Sequence, residues 1–190
     1  MKKILLGSGS PRRRELLSMM DVDYEVVKLH DVEEVYPDTL AAEDVPAYLS
    51  RLKAQSYVNQ LKDNELLITA DTVVIIDGDI LGKPKDAEDA VRMLCRLSGA
   101  KHKVITGVSI TSNDGIHTFD EVTEVEFNEV PEAEIRGYVA KYQPFDKAGS
   151  YGIQEWIGLV AIKKIDGCFY NVMGLPTATL YREMKKIGAF

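Results

Sequence analysis

Leu66-Leu67-Ile68-Thr69-Ala70-Asp71-Thr72-Val73-Val74-Ile75-Ile76 is the most apolar run of the chain, and it carries one ionisable side chain, Asp71. The run reads as a buried central strand. Asp77-Gly78 follows as a hairpin turn, with Asp79–Leu81 returning beside it. Upstream, Val45, Leu49, Leu52, Val58 and Leu61 recur near helical spacing across residues 43–61. Residues 24–28 alternate as a second strand, and residues 3–7 form a third that passes through Ser8-Gly9-Ser10 into a helix over 11–20. Downstream, Asp86 caps a helix that ends at Leu97, with Gly99 as its stop. Residues 104–111 and 116–127 flank Asn113-Asp114-Gly115 as a long hairpin, and a helix over 132–141 follows Pro131. Residues 144–154 are irregular, residues 159–165 and 168–172 flank Asp166-Gly167 as a third hairpin, and residues 176–187 close the chain as a helix. Helices alternating with both crossovers and hairpins predict an α/β fold with a mixed sheet. With no repeat or linker in view, residues 1–190 are expected to form one domain.

Composition narrows the function classes. The chain has 190 residues, 45% of them hydrophobic, and a formal charge of −7 from 23 basic and 30 acidic side chains. That balance argues against nucleic acid or a membrane surface as partner, since both reward a diffuse positive field. It leaves room for a small polyanion, which needs only a few well-placed cations. The apolar run near Ile4-Leu5-Leu6 is too short for a secretion signal, and no stretch is long enough to span a membrane. Cys95 and Cys168 are distant and unpatterned, which suits a reducing cytoplasm, and Cys95, beside Val91 and Leu94, reads as a buried thiol.

Four segments carry chemistry. Ser8-Gly9-Ser10-Pro11-Arg12-Arg13 joins strand to helix, with Ser10 as cap and Pro11 at the first helical position. Three arginines then occupy the first turn, where the helix dipole disfavours cations by roughly 0.3–1 kcal/mol each. A bound anion would reverse that sign, whereas the plain alternative is a solvated basic turn. Asp71 is the second signal, because an ionised carboxylate in an apolar run costs several kcal/mol unless a cation or strong donors meet it. A divalent metal, a general-base role, or backbone N–H groups at a strand end would each account for it. Lys83 in Gly82-Lys83-Pro84 is placed to return toward Asp71, although a lysine there is commonly just exposed. Asp146-Lys147-Ala148-Gly149-Ser150-Tyr151-Gly152-Ile153-Gln154 has the composition of a ligand-contacting loop, with a structural turn as the rival reading. Glu33-Glu34 and the set Asp120, Glu121, Glu124 and Glu126 read as solvated faces, and His30, His102 and His117 lack zinc-ligand spacing. Cations for phosphates and carboxylates for a hard metal point to phosphoanhydride chemistry, without choosing among kinases, hydrolases and binders.

The ordered set is more specific than its parts. Ser8-Gly-Ser-Pro-Arg-Arg13, Ala70-Asp71-Thr72-Val73-Val74, Gly82-Lys83-Pro84, Leu97-Ser98-Gly99, Asp146-Lys147-Ala148-Gly149, Tyr151-Gly-Ile-Gln154 and Val172-Met173-Gly174-Leu175-Pro176 strongly resemble the Maf family of nucleotide pyrophosphatases across essentially the whole chain. The resemblance implies an elongated α/β fold related to inosine triphosphate pyrophosphatases, with two lobes and a central cleft. It also implies Mg²⁺- or Mn²⁺-dependent hydrolysis of a nucleoside triphosphate between its α and β phosphates. By motif, Asp71 would be the proton acceptor that activates water and a metal ligand. Glu34 would join it at the metal, with Glu33 as the alternative because of an extra residue near positions 28–31. Ser8, Arg13, Lys53, Lys83 and Lys147 would bind the substrate, while Arg12, Thr72 and Gln154 match the branch acting on dTTP and UTP. The 7-methylguanosine triphosphate branch resembles Trp, Gln and Glu at those three places. Ser150 stands where Ala is usual, a minor departure. The family's link to septum formation and cell-division arrest keeps a second class open, a nucleotide-binding regulator without turnover. Standard versus modified pyrimidine nucleotides, the preferred metal and the oligomeric state, a homodimer included, are left open by the sequence.

Gln154 offers both donor and acceptor to a pyrimidine edge, whereas an ionised Glu only accepts. Gln154→Glu is therefore expected to lower kcat/KM for dTTP about 10–100-fold, on the order of 1–3 kcal/mol for a mispaired polar contact. Adding Arg12→Trp and Thr72→Gln is expected to raise activity toward 7-methyl-GTP. Measuring kcat/KM for both nucleotides in wild type, single and triple variants decides the matter; an unchanged dTTP value in a folded Gln154→Glu protein removes Gln154 from base reading.

Overall fold

The computed structural model describes residues 2–29 and 32–189, so His30 lies outside the described residues. Its sheet has seven strands: β1 (Lys3–Leu6), β2 (Tyr24–Val26), β3 (Glu65–Ile76), β4 (Asp79–Leu81), β5 (Lys101–Ser112), β6 (Gly115–Phe127) and β7 (Ile162–Asp166). They run in the order β2-β1-β3-β5-β6-β7, with β4 paired to β3 off that path. β1 is parallel to both β2 and β3, while β3–β4 and β6–β7 are antiparallel, so the sheet is mixed as expected. Among the described residues seven α-helices accompany it: α1 (Pro11–Met19), α2 (Val45–Gln55), α3 (Ala87–Leu97), α4 (Glu132–Tyr142), α5 (Trp156–Ala161), α6 (Phe169–Met173) and α7 (Thr177–Lys186). No helix among the described residues is long and apolar enough to cross a membrane.

Two compact units share this chain. One gathers residues 1–71, 106–121 and 174–190; the other gathers residues 72–105 and 122–173. In the first, Leu5, Leu6, Leu16, Leu17, Leu66, Leu67 and Ile68 are fully buried. In the second, Leu94 and Leu97 of α3 and Ile135 of α4 are.

Local chemistry accounts for the departures from the expected elements. The helical pattern over 43–61 is broken into a 3₁₀ turn (Ala42–Asp44), α2 and a second 3₁₀ turn (Val58–Gln60). Pro46 sits in the first turn of α2, where its missing N–H costs nothing. Past its end, the Ser56 hydroxyl donates to Lys53 O at 2.8 Å and competes for a carbonyl that a further turn would use. The expected third hairpin is absent. Residues 156–161 are helix α5, β7 pairs with β6 instead, and residues 169–173 are helix α6. Thr123 decides this: its hydroxyl donates to Cys168 O (3.2 Å) and accepts from Cys168 N (3.0 Å) and Asn171 Nδ2 (2.9 Å), using all its capacity. Those bonds curl a short apolar run whose period alone fits either state.

Cys95 is exposed, not buried. The buried stripe of α3 is Ala90, Val91, Leu94 and Leu97, and the residue after Leu94 turns about 100° away from it. The hairpin acids are also engaged rather than merely solvated. Glu126 pairs with Lys163 at 2.7 Å, Glu124 with Lys101 at 3.2 Å, and Glu121 accepts the Thr179 hydroxyl.

The first unit depends on a close approach of α2 to β5. A Cβ built on Gly107 would lie 2.3 Å from Ala47 N and Pro46 C. These are backbone atoms that cannot swing aside, so Gly107→Ala is expected to destabilise the fold by about 1–3 kcal/mol or more. Urea unfolding at constant m-value measures it; a loss below about 0.5 kcal/mol would mean that α2 tolerates displacement.

Candidate active site

In the first unit, β1 ends against β3, with Leu6 opposite Ile68 and Gly7 N donating to Ile68 O at 2.9 Å. The chain then turns through Ser8 and Ser10 into α1, where the Ser10 hydroxyl caps Arg13 N at 3.5 Å and Pro11 opens the helix. No acidic side chain occupies that first turn. Arg13, half-buried, reaches back across it. Its Nε donates to Gly174 O at 2.8 Å, and one terminal nitrogen donates to Ala70 O (2.9 Å) and Ser8 Oγ (3.2 Å). Burial lowers the Arg13 pKa, opposed by the negative charge of Asp71, lowered further by Arg12, and opposed again by Glu34. An arginine stays protonated in any such setting, so the side chain is a fixed cation in the field of two carboxylates.

A hydroxyl ladder carries Lys53 to the same place. Thr69 Oγ1 donates to Ser50 O at 2.7 Å, pinning α2 onto β3. The Ser50 hydroxyl donates to Ala47 O and, its proton spent, accepts from Ser109, which in turn accepts from Thr118, each at 2.9 Å. Lys53 lies three residues past Ser50 and Asp71 two past Thr69, rises of about 4.5 Å and 6.6 Å along helix and strand. A lysine stem spans what difference remains. Lys53 Nζ stands 2.6 Å from Asp71 Oδ1 and 3.2 Å from Glu34 Oε2. Lys53 and Asp71 side chains are each 13% exposed, Glu34's 52%. The cation that the Asp71 carboxylate requires in its apolar strand is thus Lys53. Within β3, Asp71 and Thr72 alone are half-exposed; all ten others are buried.

Asp71 and Glu34 converge on one positive point, which is the arrangement a small divalent cation uses. Among the described residues no group of three or more His, Cys, Asp and Glu side chains gathers for a metal. Two carboxylates fit Mg²⁺ or Mn²⁺, ions that commonly take one or two protein carboxylates and complete their shell with water and substrate phosphate. Glu34 makes the ion pair with Lys53, and Glu33 and Glu34 are both exposed.

In the second unit, β4 returns along β3 with Leu81 opposite Val74, and Lys83 follows it, exposed. Gly149 N donates to Gly82 O at 3.1 Å, so the segment bearing Lys147 lies beside the segment bearing Lys83. Gly149 is required there twice over: its φ is +66°, and a Cβ would lie 2.9 Å from Val74. Lys147 is 8% exposed, with Nζ 2.7 Å from Asp146 Oδ1 and 3.2 Å from Glu155 Oε1. Gln154 is exposed and Thr72 half-exposed. His102 is buried, its Nε2 2.7 Å from Tyr151 Oη, and burial lowers its pKa to about 4.

Of the residues singled out from sequence, the first unit brings together Ser8, Arg13, Glu34, Lys53 and Asp71. The second brings together the segments of Lys83, Lys147 and Gln154. Sequence reasoning missed Tyr138 and Glu155, whose link to Lys147 crosses from α4 to the start of α5 and leaves no local pattern. It also missed the carbonyls of Ala70 and Gly174 as Arg13 acceptors.

A family profile described as "Maf-like protein" matches residues 3–187. This chain belongs to the Maf family. A Bacteroides thetaiotaomicron protein named dTTP/UTP pyrophosphatase is 53% identical over 185 residues, 97% of this chain and 96% of its own length. A protein of that name from Porphyromonas gingivalis is 53% identical over 188 residues, 98% of this chain and 94% of its own. Among solved structures, a HAM1 protein from Coxiella burnetii is similar at a TM-score of 0.54 and 13% identity, over 98% of this chain and 100% of its own. The Staphylococcus aureus Ham1 protein gives 0.53 and 17%, over 96% and 100%. At such identities the likeness concerns the fold alone.

Lysine cannot reproduce the planar fork of Arg13 across Gly174 O, Ala70 O and Ser8 Oγ. Arg13→Lys is expected to cost about 1–3 kcal/mol of stability, because partly buried acceptors lose charge-assisted bonds. Chemical denaturation is the measure, and a variant as stable as wild type would show that Arg13 has no structural role beyond any ligand.

Proposed function

We propose that this chain hydrolyses dTTP and UTP to the nucleoside monophosphate and pyrophosphate. The observation that carries the reading is the Lys53 ammonium held 2.6 Å from Asp71 and 3.2 Å from Glu34, with Arg13 locked alongside. Relatives at about half identity over nearly their full length support the substrate, since they bear the name dTTP/UTP pyrophosphatase.

Attack at the α phosphorus expels pyrophosphate, whose growing charge must be met by fixed cations. Arg13 and Lys53 supply two of these, and by the family resemblance Lys83 and Lys147 would bind substrate as well. Asp71 orients a water and takes its proton. The Lys53 ammonium pairs with that carboxylate until the substrate's phosphates compete for the lysine. A divalent metal, which the family generally requires, would be held by Asp71 and Glu34, and when bound it neutralises phosphate charge. Arg12, Thr72 and Gln154 are assigned to the base.

Two outcomes test this. With dTTP and Mg²⁺, the first products are expected to be dTMP and pyrophosphate; dTDP as the initial product would overturn cleavage between the α and β phosphates. Asp71→Asn is expected to reduce turnover by roughly 10²–10⁴-fold. Folding is expected to survive, because Glu34 still partners Lys53. An Asn variant that keeps more than about a third of the wild-type rate would not fit a general base. Tight dTTP binding without any turnover in wild type would favour the regulator instead. Parallel assays with 5-methyl-UTP, pseudo-UTP and 5-methyl-CTP rank standard against modified substrates.

A further inference from the structure

Around Lys147 lies a buried ionic relay to which neither the sequence motifs nor the proposed chemistry assigns a task. Glu155 Oε1 stands 3.2 Å from Lys147 Nζ, and the other carboxylate oxygen accepts the Tyr138 hydroxyl proton. The same hydroxyl oxygen accepts Gly152 N–H at 3.2 Å. Tyr138 is 2% exposed, its ring stacked on Tyr142 at 5.0 Å and on Trp156 at 6.4 Å. One rigid phenol therefore holds both the carboxylate that grips Lys147 and the backbone two residues before Gln154.

Glu155 occupies the N-cap position of α5 yet makes no cap hydrogen bond. Its carboxylate is spent on Lys147 and Tyr138 instead. The backbone is fitted to this use, since a Cβ on Gly152 would lie 2.8 Å from the Glu155 carboxyl carbon. The Glu155 and Lys147 side chains are 18% and 10% exposed, so their attraction is little screened, whereas Asp146, at 54%, faces solvent. An ammonium has three donors; among the described residues Asp146 and Glu155 engage two, which leaves one for a ligand. A lysine stem fixed in advance need not be ordered when phosphate binds.

We infer that Glu155 and Tyr138 are positioning residues that hold the Lys147 ammonium and the Gly152–Gln154 backbone in one arrangement ready for the nucleoside triphosphate. The inference rests on the assignment of Lys147 and Gln154 to substrate binding. Binding affinity should then move while the chemical step does not.

The experiment compares Glu155→Gln, Tyr138→Phe, Lys147→Met and the double variant Glu155→Gln/Lys147→Met in the full chain, with dTTP and Mg²⁺. Glu155→Gln and Tyr138→Phe are each expected to raise KM about 3–30-fold with kcat within about 3-fold of wild type. In the Lys147→Met background, Glu155→Gln is expected to add less than about 2-fold, because the group it positions is gone. Melting temperatures identify a variant that fails to fold, and Tyr138→Phe, which keeps the stacked ring, carries the test should Glu155→Gln do so. KM unchanged in folded Glu155→Gln and Tyr138→Phe overturns the inference. So does a fall in kcat at constant KM, or an equal Glu155→Gln effect with and without Lys147. Calorimetry with the α,β-methylene analogue of dTTP reads affinity apart from turnover. A wild type that binds this analogue but does not hydrolyse dTTP overturns the proposed reaction, and the same variants then decide the positioning role by affinity. A wild type that does not bind it overturns both.

Discussion

A carboxylate inside an apolar strand must be met by positive charge, and the meeting of Asp71 with Lys53 is the constraint from which the first unit's site follows. An uncompensated ion there would be protonated or would unfold its surroundings. Lys53 meets Asp71 at 2.6 Å, and Glu34 and Arg13 complete a cluster with two formal charges of each sign. Such a cluster is neutral as it stands, yet it can exchange partners when a metal and a polyphosphate bring their own charges.

Holding Lys53 at that point is the task of groups that never touch a ligand. Gly107 lets the start of α2 approach β5, and the Thr69–Ser50 bond sets the register of helix on strand. The hydroxyls of Thr118, Ser109 and Ser50 form a chain that ends on Ala47 O, so these polar groups are matched along the way. Arg13 plays the corresponding part for the turn into α1, tying it to the carbonyls of Ala70 and Gly174.

The second unit uses the same logic with different parts. Gly149 permits a left-handed backbone pressed onto Val74, which seats the Lys147 segment against Gly82. Tyr138 and Glu155 then hold the lysine, and His102 holds Tyr151 by a 2.7 Å bond within an aromatic cluster that includes Phe127. Lysines are among the least ordered of side chains, and here a nearly buried one is given two carboxylate partners.

Elements with a long, clean period were legible from sequence alone: the central strand with its Asp77-Gly78 turn, the capped helix after Asp86, the long hairpin at Asn113-Asp114-Gly115, and the mixed sheet they imply. Each is set by interactions within a few residues, which is the range over which periodicity and capping act. The oddity of Asp71 in its apolar run was legible too, as a cost awaiting a partner. Which partner depended on a contact 18 residues away, Lys53 to Asp71, that no local pattern encodes. The same holds for the misread segment after Asp166. Its short apolar run fits strand or helix equally, and bonds from Thr123, 45 residues earlier, select the helix. Cys95 failed for a finer reason, since membership in a helical pattern does not say which edge of the stripe meets the core. Local sequence thus determined where secondary structure forms and which residues are chemically costly, while tertiary packing alone decided how those costs are met, because hydrogen bonds and ion pairs are satisfied by neighbours in space, whatever their separation along the chain.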